Sequence, residues 1–224
     1  MLTTEARRKI LEENDAAATE LRERFRAAGT LVVDLISSPG SGKTALLEET
    51  ARRLVGKLSC ATIVGDIATE RDADRLRAAG MPSRQIITGG ACHLEARIVR
   101  DALAQADFGE LDILFIENVG NLVCPASFAL GEDFKVVLLS VTEGQDKPFK
   151  YPGIFSRASV ALITKSDLLP HVRFDVKAAG SEIETLRPDA RMILVSTVTG
   201  QGIDAWCGLL QEELAKKRLA AAVP

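Results

Sequence analysis

The sequence predicts an α/β fold: a doubly wound, mostly parallel sheet covered by helices on both faces, three layers in all. Two observations predict it. From Leu31 onward the chain repeats short, near-continuous apolar runs, LVVDLIS, CATIVGD, RQIITGG, DILFIEN, KVVLLSVTE, SVALITKSD and MILVSTV. Strands that are apolar at almost every position are buried on both faces, as in parallel sheets. Between the runs lie helical patterns at 43–57, 72–79, 93–106, 173–187 and 203–219, and this alternation is that of βαβ crossovers.

Ahead of the first strand, residues 3–28 read as a helix, with Ile10, Leu11, Leu21 and Phe25 sparsely placed among charges and Gly29 as its stop signal. So thin an apolar stripe suits a helix lying on the surface or packed on a partner. The expected organisation is an N-terminal helical extension over 1–29 and one α/β domain over 30–224, with an Ala-rich tail, LAAAVP, that frays.

With 46% apolar residues, 26% charged residues and a net charge of -3, the composition is that of an ordinary soluble protein and points to neither a nucleic acid nor a membrane partner. No segment approaches the roughly 20 apolar residues of a spanning helix, and the charged start of the chain has no apolar run of signal-peptide length. A cytoplasmic location is the expectation. The four cysteines, Cys60, Cys92, Cys124 and Cys207, are too far apart for a dense disulfide framework or a CxxC zinc knuckle, so any thiol chemistry has to be assembled by the fold.

The strand LVVDLI runs into SSPGSGKT and then into the helical ALLEETARRL, the strand, loop and helix context of a P-loop NTPase. Gly40, Ser41 and Gly42 let backbone N–H groups point at phosphate oxygens, Lys43 neutralises the β- and γ-phosphates, and the Thr44 hydroxyl ligates Mg²⁺. Ser37 stands where the usual motif opens with glycine, an edge position that needs only a permissive backbone. A magnesium nucleotide site also needs carboxylates at neighbouring strand ends. Asp66 after ATIVG and Glu117 after LDILFI are the candidates for ligating Mg²⁺ or positioning water, and with Lys43 they form the candidate catalytic set. Acids in such places also cap helices or face water; the adjacent loop favours the ligand role. Glu117 opens a Glu-x-x-Gly whose Gly120 amide is placed to sense the γ-phosphate.

Thr164 to Asp167, TKSD, resembles the guanine-reading Asn-Lys-x-Asp of GTPases. Asp167 accepts from both guanine N–H donors, a pair that adenine lacks; Lys165 lies along the base plane, and Thr164 is expected to weaken affinity. In STVTG, residues 196–200, Thr197 sits in what resembles the loop whose backbone N–H meets the guanine carbonyl. GTP is therefore expected over ATP.

Two stretches exceed the needs of nucleotide binding: TGGACHLEAR, with Cys92 and His93, and ENVGNLVCPAS, with Cys124. Cys92 follows two glycines at the expected start of a helix, whose dipole would lower its pKa. Thiolate and imidazole together suit Ni²⁺ or Zn²⁺. Three ligands fall short of four, and a symmetric dimer would supply the rest. The alternative is that both cysteines are small buried hydrophobes. Cys60 and Cys207 read as core, and His171 as a surface histidine.

At this point the residues resemble the hydrogenase nickel-incorporation accessory GTPases, the HypB family, from Leu31 to about Leu210. The motifs that carry the resemblance are SSPGSGKT, GDIATERDADRLRAAG, TGGACHLEARIV, FIENVGNLVCPASFALGE, VTEGQDKPFKYPGIF and TKSDLLPH. The resemblance implies GTP hydrolysis coupled to nickel delivery into the large subunit of [NiFe]-hydrogenase, a small nickel- and zinc-binding accessory protein as companion, and a GTP-promoted homodimer with metal between subunits. It also implies the phosphate and magnesium roles for Lys43 and Thr44, the acidic pair Asp66 and Glu117, the guanine reader Asp167, and Cys92, His93 and Cys124 as metal ligands.

Some members carry a second, N-terminal metal site; with no Cys or His before Cys60, this chain is not expected to store nickel in bulk. Arg97 replaces a His of some members, and Glu95 lies beside it. Lys147 either reaches nucleotide across the dimer or is a solvated loop lysine. Two alternatives remain: a urease-type nickel GTPase, whose Cys-Pro-His triplet is replaced here by Cys-His-Leu, and a small-molecule P-loop kinase, which predicts a substrate lid and ATP preference. With no arginine finger evident, turnover is expected to be slow.

Overall fold

The computed structural model describes residues 4–67 and 69–221. The seven apolar runs become strands β1 (Leu31–Ser37), β2 (Cys60–Asp66), β3 (Ser83–Ile87), β4 (Ile113–Glu117), β5 (Phe134–Ser140), β6 (Val160–Thr164) and β7 (Arg191–Leu194). They form one sheet in the order β3-β2-β4-β1-β5-β6-β7, and every neighbouring pair is parallel. The runs outlast their strands where the chain turns into a loop, as TKSD does after Thr164.

The helices are α1 (Thr4–Ala28), α2 (Lys43–Leu54), α3 (Arg71–Ala78), α4 (Ala96–Ala104), α5 (Lys147–Lys150), α6 (Pro152–Phe155), α7 (Val176–Leu186) and α8 (Ile203–Ala221). Single-turn α5 and α6, and the 3-10 segments Cys124–Ser127 and Ser166–His171, are too short to show a period in sequence. The expected helix over 93–106 starts later, because Glu95 is extended, with φ -114° and ψ 149°.

Successive residues of β1 serve opposite layers, as strand geometry requires. Leu31, Val33 and Leu35 pack with Leu46 and Leu47 of α2, Leu76 of α3, and Trp206 and Leu210 of α8. Trp206 secures that layer by donating its indole N–H to Thr50 Oγ1 at 3.0 Å. Val32 faces the other way, with Ala18, Leu21 and Phe25 of α1 and Val99 of α4, and Ile36 joins Ile154 of α6 and Ile183 of α7.

The N-terminal helix is not a loose surface element. Its stripe is thin because small and polar residues share it: Ala18 is fully buried, and buried Asn14 donates to Ala129 O and accepts from Ala96 N, each at 2.8 Å. Gly29, with φ 65°, ends the helix. At the other terminus α8 carries the start of the Ala-rich tail as helix to Ala221; positions 222–224, like 1–3, lie outside the described residues. No helix among the described residues is long and apolar enough to cross a membrane.

Candidate nucleotide and metal site

The C-terminal ends of β1, β2 and β4 converge with the start of α2 on a cavity of about 430 Å³, lined by Lys43, Thr44, Asp66, Asp72, Arg75 and Glu117 among others. Cavities of about 630 and 700 Å³ open elsewhere on the molecule and contain no phosphate-loop residue. Gly40 and Gly42 take positive φ, 75° and 99°, a region costly for residues with a Cβ. Gly42 caps α2 without a side-chain hydrogen bond, so the first amides of the helix are left to an anion.

Buried Lys43 donates from Nζ to Ser37 Oγ at 2.9 Å. The residue that replaces the usual glycine therefore holds the lysine. Burial lowers the Lys43 pKa, opposed by the charge of Glu117. Ser41 is held by two partners far away in sequence: its Oγ lies 2.6 Å from Glu143 Oε1, and its carbonyl accepts from Thr164 Oγ1 at 2.7 Å. Thr164 thus tethers the phosphate loop, a use that the motif comparison did not suggest.

Glu117, 4% exposed, accepts from Thr44 Oγ1 at 2.8 Å through Oε1, while Oε2 is buried with no hydrogen-bond partner. Burial pushes its carboxyl up to about 7, against the pull of Lys43. An orphaned carboxylate oxygen beside a hydroxyl, with Asp66 lining the same cavity, fits a hard divalent cation such as Mg²⁺. Asp66 also accepts from Thr69 N at 3.0 Å. Asp72 and Arg75 do not stand out in the sequence, although their place in the first two turns of the helix after a strand-end Asp is a usable signal. Arg75 forks onto Glu48 at 3.0 and 2.9 Å. Gly120 approaches the loop so closely that a Cβ there would meet Pro39 Cα at 3.0 Å.

In the TKSD segment after β6, Asp167 Oδ1 accepts from Ser196 Oγ at 2.5 Å. The same hydroxyl oxygen accepts from Val198 N and Thr199 N, each at 3.2 Å, and so organises the turn that contains Thr197. Lys165 alone among described non-glycine residues has positive φ, 57°. Nothing in STVTG singles out Ser196 in sequence; its bond to Asp167 arises where β6 and β7 end side by side.

The structure brings Cys92, His93 and Cys124 together, with one ligand atom from each lying within 4.8 Å of the others. The two Sγ atoms are 2.8 Å apart, and Cys92 Sγ is 3.7 Å from His93 Nδ1. His93 stacks on Phe128, with centroids 3.9 Å apart. Burial lowers its pKa, opposed by Glu95, which favours the neutral form that can ligate. One expectation is corrected: Cys92 precedes the helix rather than starting it, and its pKa is raised, first by the hydrogen bond with Cys124 and then by burial. Arg97 pairs with Glu95 at 3.0 Å.

Burial raises Cys60 to about 12 and Cys207 to about 11; Cys207 lies in the core, Cys60 is half-buried against it, and His171 is exposed. Lys147 opens α5, 3.9 Å from Glu143 Oε2 and 5.1 Å from the Tyr151 ring centre, so it is anchored rather than freely solvated.

The model of the CobW/HypB/UreG nucleotide-binding domain matches residues 31–194. The chain is 49% identical over 204 residues to the hydrogenase maturation factor HypB of Escherichia coli, an alignment spanning 91% of this chain and 70% of that protein. This chain belongs to the HypB family. The hydrogenase/urease maturation factor HypB of Helicobacter pylori is 43% identical over 209 residues, covering 92% of this chain and 86% of its own. A crystal structure of Helicobacter pylori HypB in complex with nickel has a TM-score of 0.86 to it at 39% identity, over 91% and 96% of the two chains. The three-layer parallel sheet is thus the HypB architecture, and the kinase alternative falls away. HypB membership confirms the resemblance carried by the loop motifs.

Proposed function

We propose that this chain binds and hydrolyses GTP with Mg²⁺ and uses that cycle to load and release Ni²⁺ at Cys92, His93 and Cys124, for insertion into the large subunit of [NiFe]-hydrogenase. The observation that carries the reading is a single stretch of chain. Between the end of β4 and the first 3-10 segment it supplies Glu117 to the phosphate cavity, packs Gly120 on Pro39, and ends at Cys124, 2.8 Å from Cys92 Sγ.

The amides at the start of α2 and Lys43 hold the β- and γ-phosphates, and Lys165 and Asp167 hold the guanine. Thr44, Glu117 and Asp66 would hold Mg²⁺, which when bound neutralises charge developing on the transferred phosphoryl group. Lys43, released from Ser37, turns to the same oxygens. Arg75 is engaged by Glu48, and slow turnover is the expectation.

One chain offers three soft or borderline ligands, whereas tetrahedral or square-planar ions take four. Ile67, Ile87 and Val123 are 50%, 54% and 60% exposed, at the ends of β2 and β3 and beside Cys124. Such apolar exposure suits a nucleotide-dependent homodimer that completes the site. Zn²⁺ suits the same donors. A small nickel- and zinc-binding accessory protein is the companion, and the name of the Helicobacter pylori relative adds urease as a second recipient.

Thermal shifts with GTP and ATP, each with and without Ni²⁺, test the reading. GTP is expected to stabilise more than ATP, and Ni²⁺ to alter the GTP shift. Equal shifts for the two nucleotides with independent effects of Ni²⁺ would overturn it.

A further inference from the structure

Consecutive residues of an extended chain point in opposite directions, and the end of β4 uses this to face two sites at once. Glu117 turns to Thr44. Asn118 turns away and is buried: its Oδ1 accepts from Leu94 N at 3.3 Å and Val119 N at 3.0 Å, and its Nδ2 donates to Asp34 Oδ1 at 3.2 Å. Leu94 N belongs to the residue after His93. Three residues on, Asn121 Nδ2 donates to Cys92 O at 3.2 Å while its Oδ1 accepts from Val123 N at 2.9 Å. Only an amide of this length donates and accepts in this way; Asp would keep the acceptor and lose the tether.

The contacts close into a ring. Asp34 Oδ2 accepts from Lys135 Nζ at 2.7 Å, Lys135 also donates to Phe128 O at 3.0 Å, and the Phe128 ring stacks on His93. From His93 the chain passes to Leu94 and back to Asn118. His93 is therefore held by one frame, its ring by Phe128 and its backbone through Leu94 N, and that frame includes the residue next to Glu117.

We propose that Asn118 and Asn121 are positioning residues which lock the Cys92–His93 loop to the segment carrying Glu117 and Gly120, so that a shift of that segment with nucleotide state moves the metal ligands. Resting on the GTP and nickel reading above, this assigns its coupling to two amide side chains, one lining the nucleotide cavity and one bonded to Cys92. The frame is buried, and Gly120 passes so close to the phosphate loop that a Cβ there would meet Pro39 Cα at 3.0 Å, which sets the segment against the nucleotide cavity. Coupling of this kind is reciprocal: Ni²⁺ must change nucleotide affinity by the factor by which nucleotide changes Ni²⁺ affinity.

The experiment measures Ni²⁺ affinity of the full chain by competition with a chromophoric chelator, in GDP and in a non-hydrolysable GTP analogue. The ratio of the two affinities is the readout, on the order of 5- to 150-fold in allosteric proteins. Asn121→Ala and Asn121→Asp are the primary variants, since Asn121 is only partly buried and Asp keeps the bond from Val123 N while losing the tether. Both are expected to bring the ratio toward one, whatever the change in the Ni²⁺ affinity seen in GDP, and the reciprocal ratio for the GTP analogue should fall with it. Asn118→Ala is expected to abolish the ratio as well, but the proposal does not depend on that variant folding. A wild-type ratio that survives intact in both Asn121 variants overturns the proposal alone, as does a uniform loss of affinity in both nucleotide states. A ratio of one in the wild type overturns the GTP and nickel reading and the proposal with it.

Discussion

Thr44 and Glu117 meet through a 2.8 Å hydrogen bond that joins the first turn of α2 to the end of β4. The bond uses one carboxylate oxygen and leaves the other buried and unpartnered, so the pair is built for a third participant.

That geometry makes stability depend on pH. Burial holds the Glu117 carboxyl up at about 7 against an ordinary 4.5. The folded state keeps this proton when the unfolded chain has released it, so its contribution is full below the ordinary value and is lost as pH rises to about 7. At 1.36 kcal/mol per unit, the nucleotide-free protein should lose on the order of 3 kcal/mol across that window. Glu117→Gln should flatten this part of the profile, and so should saturating magnesium nucleotide. Urea midpoints at several pH values measure it.

How much of this was legible in the sequence differs between the two halves of the pair. Thr44 lies in a contiguous motif, and its role follows from its neighbours. Glu117 was legible as an acid ending an apolar run and opening a Glu-x-x-Gly, but its raised pKa was not legible at all, because desolvation depends on what packs around the carboxyl. The thiol cluster shows the same limit: the residue types were readable, but the assumed helix start at Cys92 was wrong by several positions, since nothing local announces the extended Glu95.

Removing a charge from the buried frame should be costly. Asp34 is fully buried and its pKa is raised by that burial, with Lys135 Nζ opposing at 2.7 Å. Lys135→Ala should cost roughly 3 to 5 kcal/mol in chemical denaturation, the range for breaking a buried pair. Because Lys135 Nζ also pairs with buried Glu132 at 2.9 Å, Asp34→Asn and Glu132→Gln combined with Lys135→Met should recover most of the loss, whereas equal losses in the single and triple variants would contradict this account.

Base selectivity should depend on Ser196 as well as Asp167. Ser196→Ala removes a hydrogen bond to a carboxylate, worth roughly 1.5 to 3 kcal/mol, and frees Asp167 to rotate. GTP affinity should drop about tenfold or more, with little change for ATP. Asp167→Asn exchanges an acceptor for a donor and should shift preference from guanine to xanthine, whose exocyclic group is a carbonyl. Titration with fluorescent analogues of the three nucleotides reads both effects.

Nickel binding should need all three clustered side chains and neither core thiol. Cys92→Ser, His93→Ala and Cys124→Ser should each lower Ni²⁺ affinity by more than the roughly 10- to 100-fold typical of losing an outer-shell partner. Cys207→Ser, at a thiol held near 11 by burial, should leave it unchanged. Absorption in the thiolate-to-metal charge-transfer region gives a direct reading of which sulfurs are bound.

The amino-acid sequence by itself determined the α/β class, the seven strands, the phosphate loop, the base-reading motif and the residue types able to hold a soft or borderline ion. These are carried by local periodicity and by motifs in which chemistry depends on neighbours a few positions away. Only the tertiary structure decided that α1 belongs to the core through Asn14, that Thr164 clamps Ser41 and Ser196 orients Asp167, and that Asn118 and Asn121 join the Cys92–Leu94 loop to the segment after Glu117. Each of these is a bond between side chain and backbone, or between two side chains, from elements brought together by the order of strands in the sheet. Burial then sets its strength, and burial is a property of the packed molecule rather than of any segment.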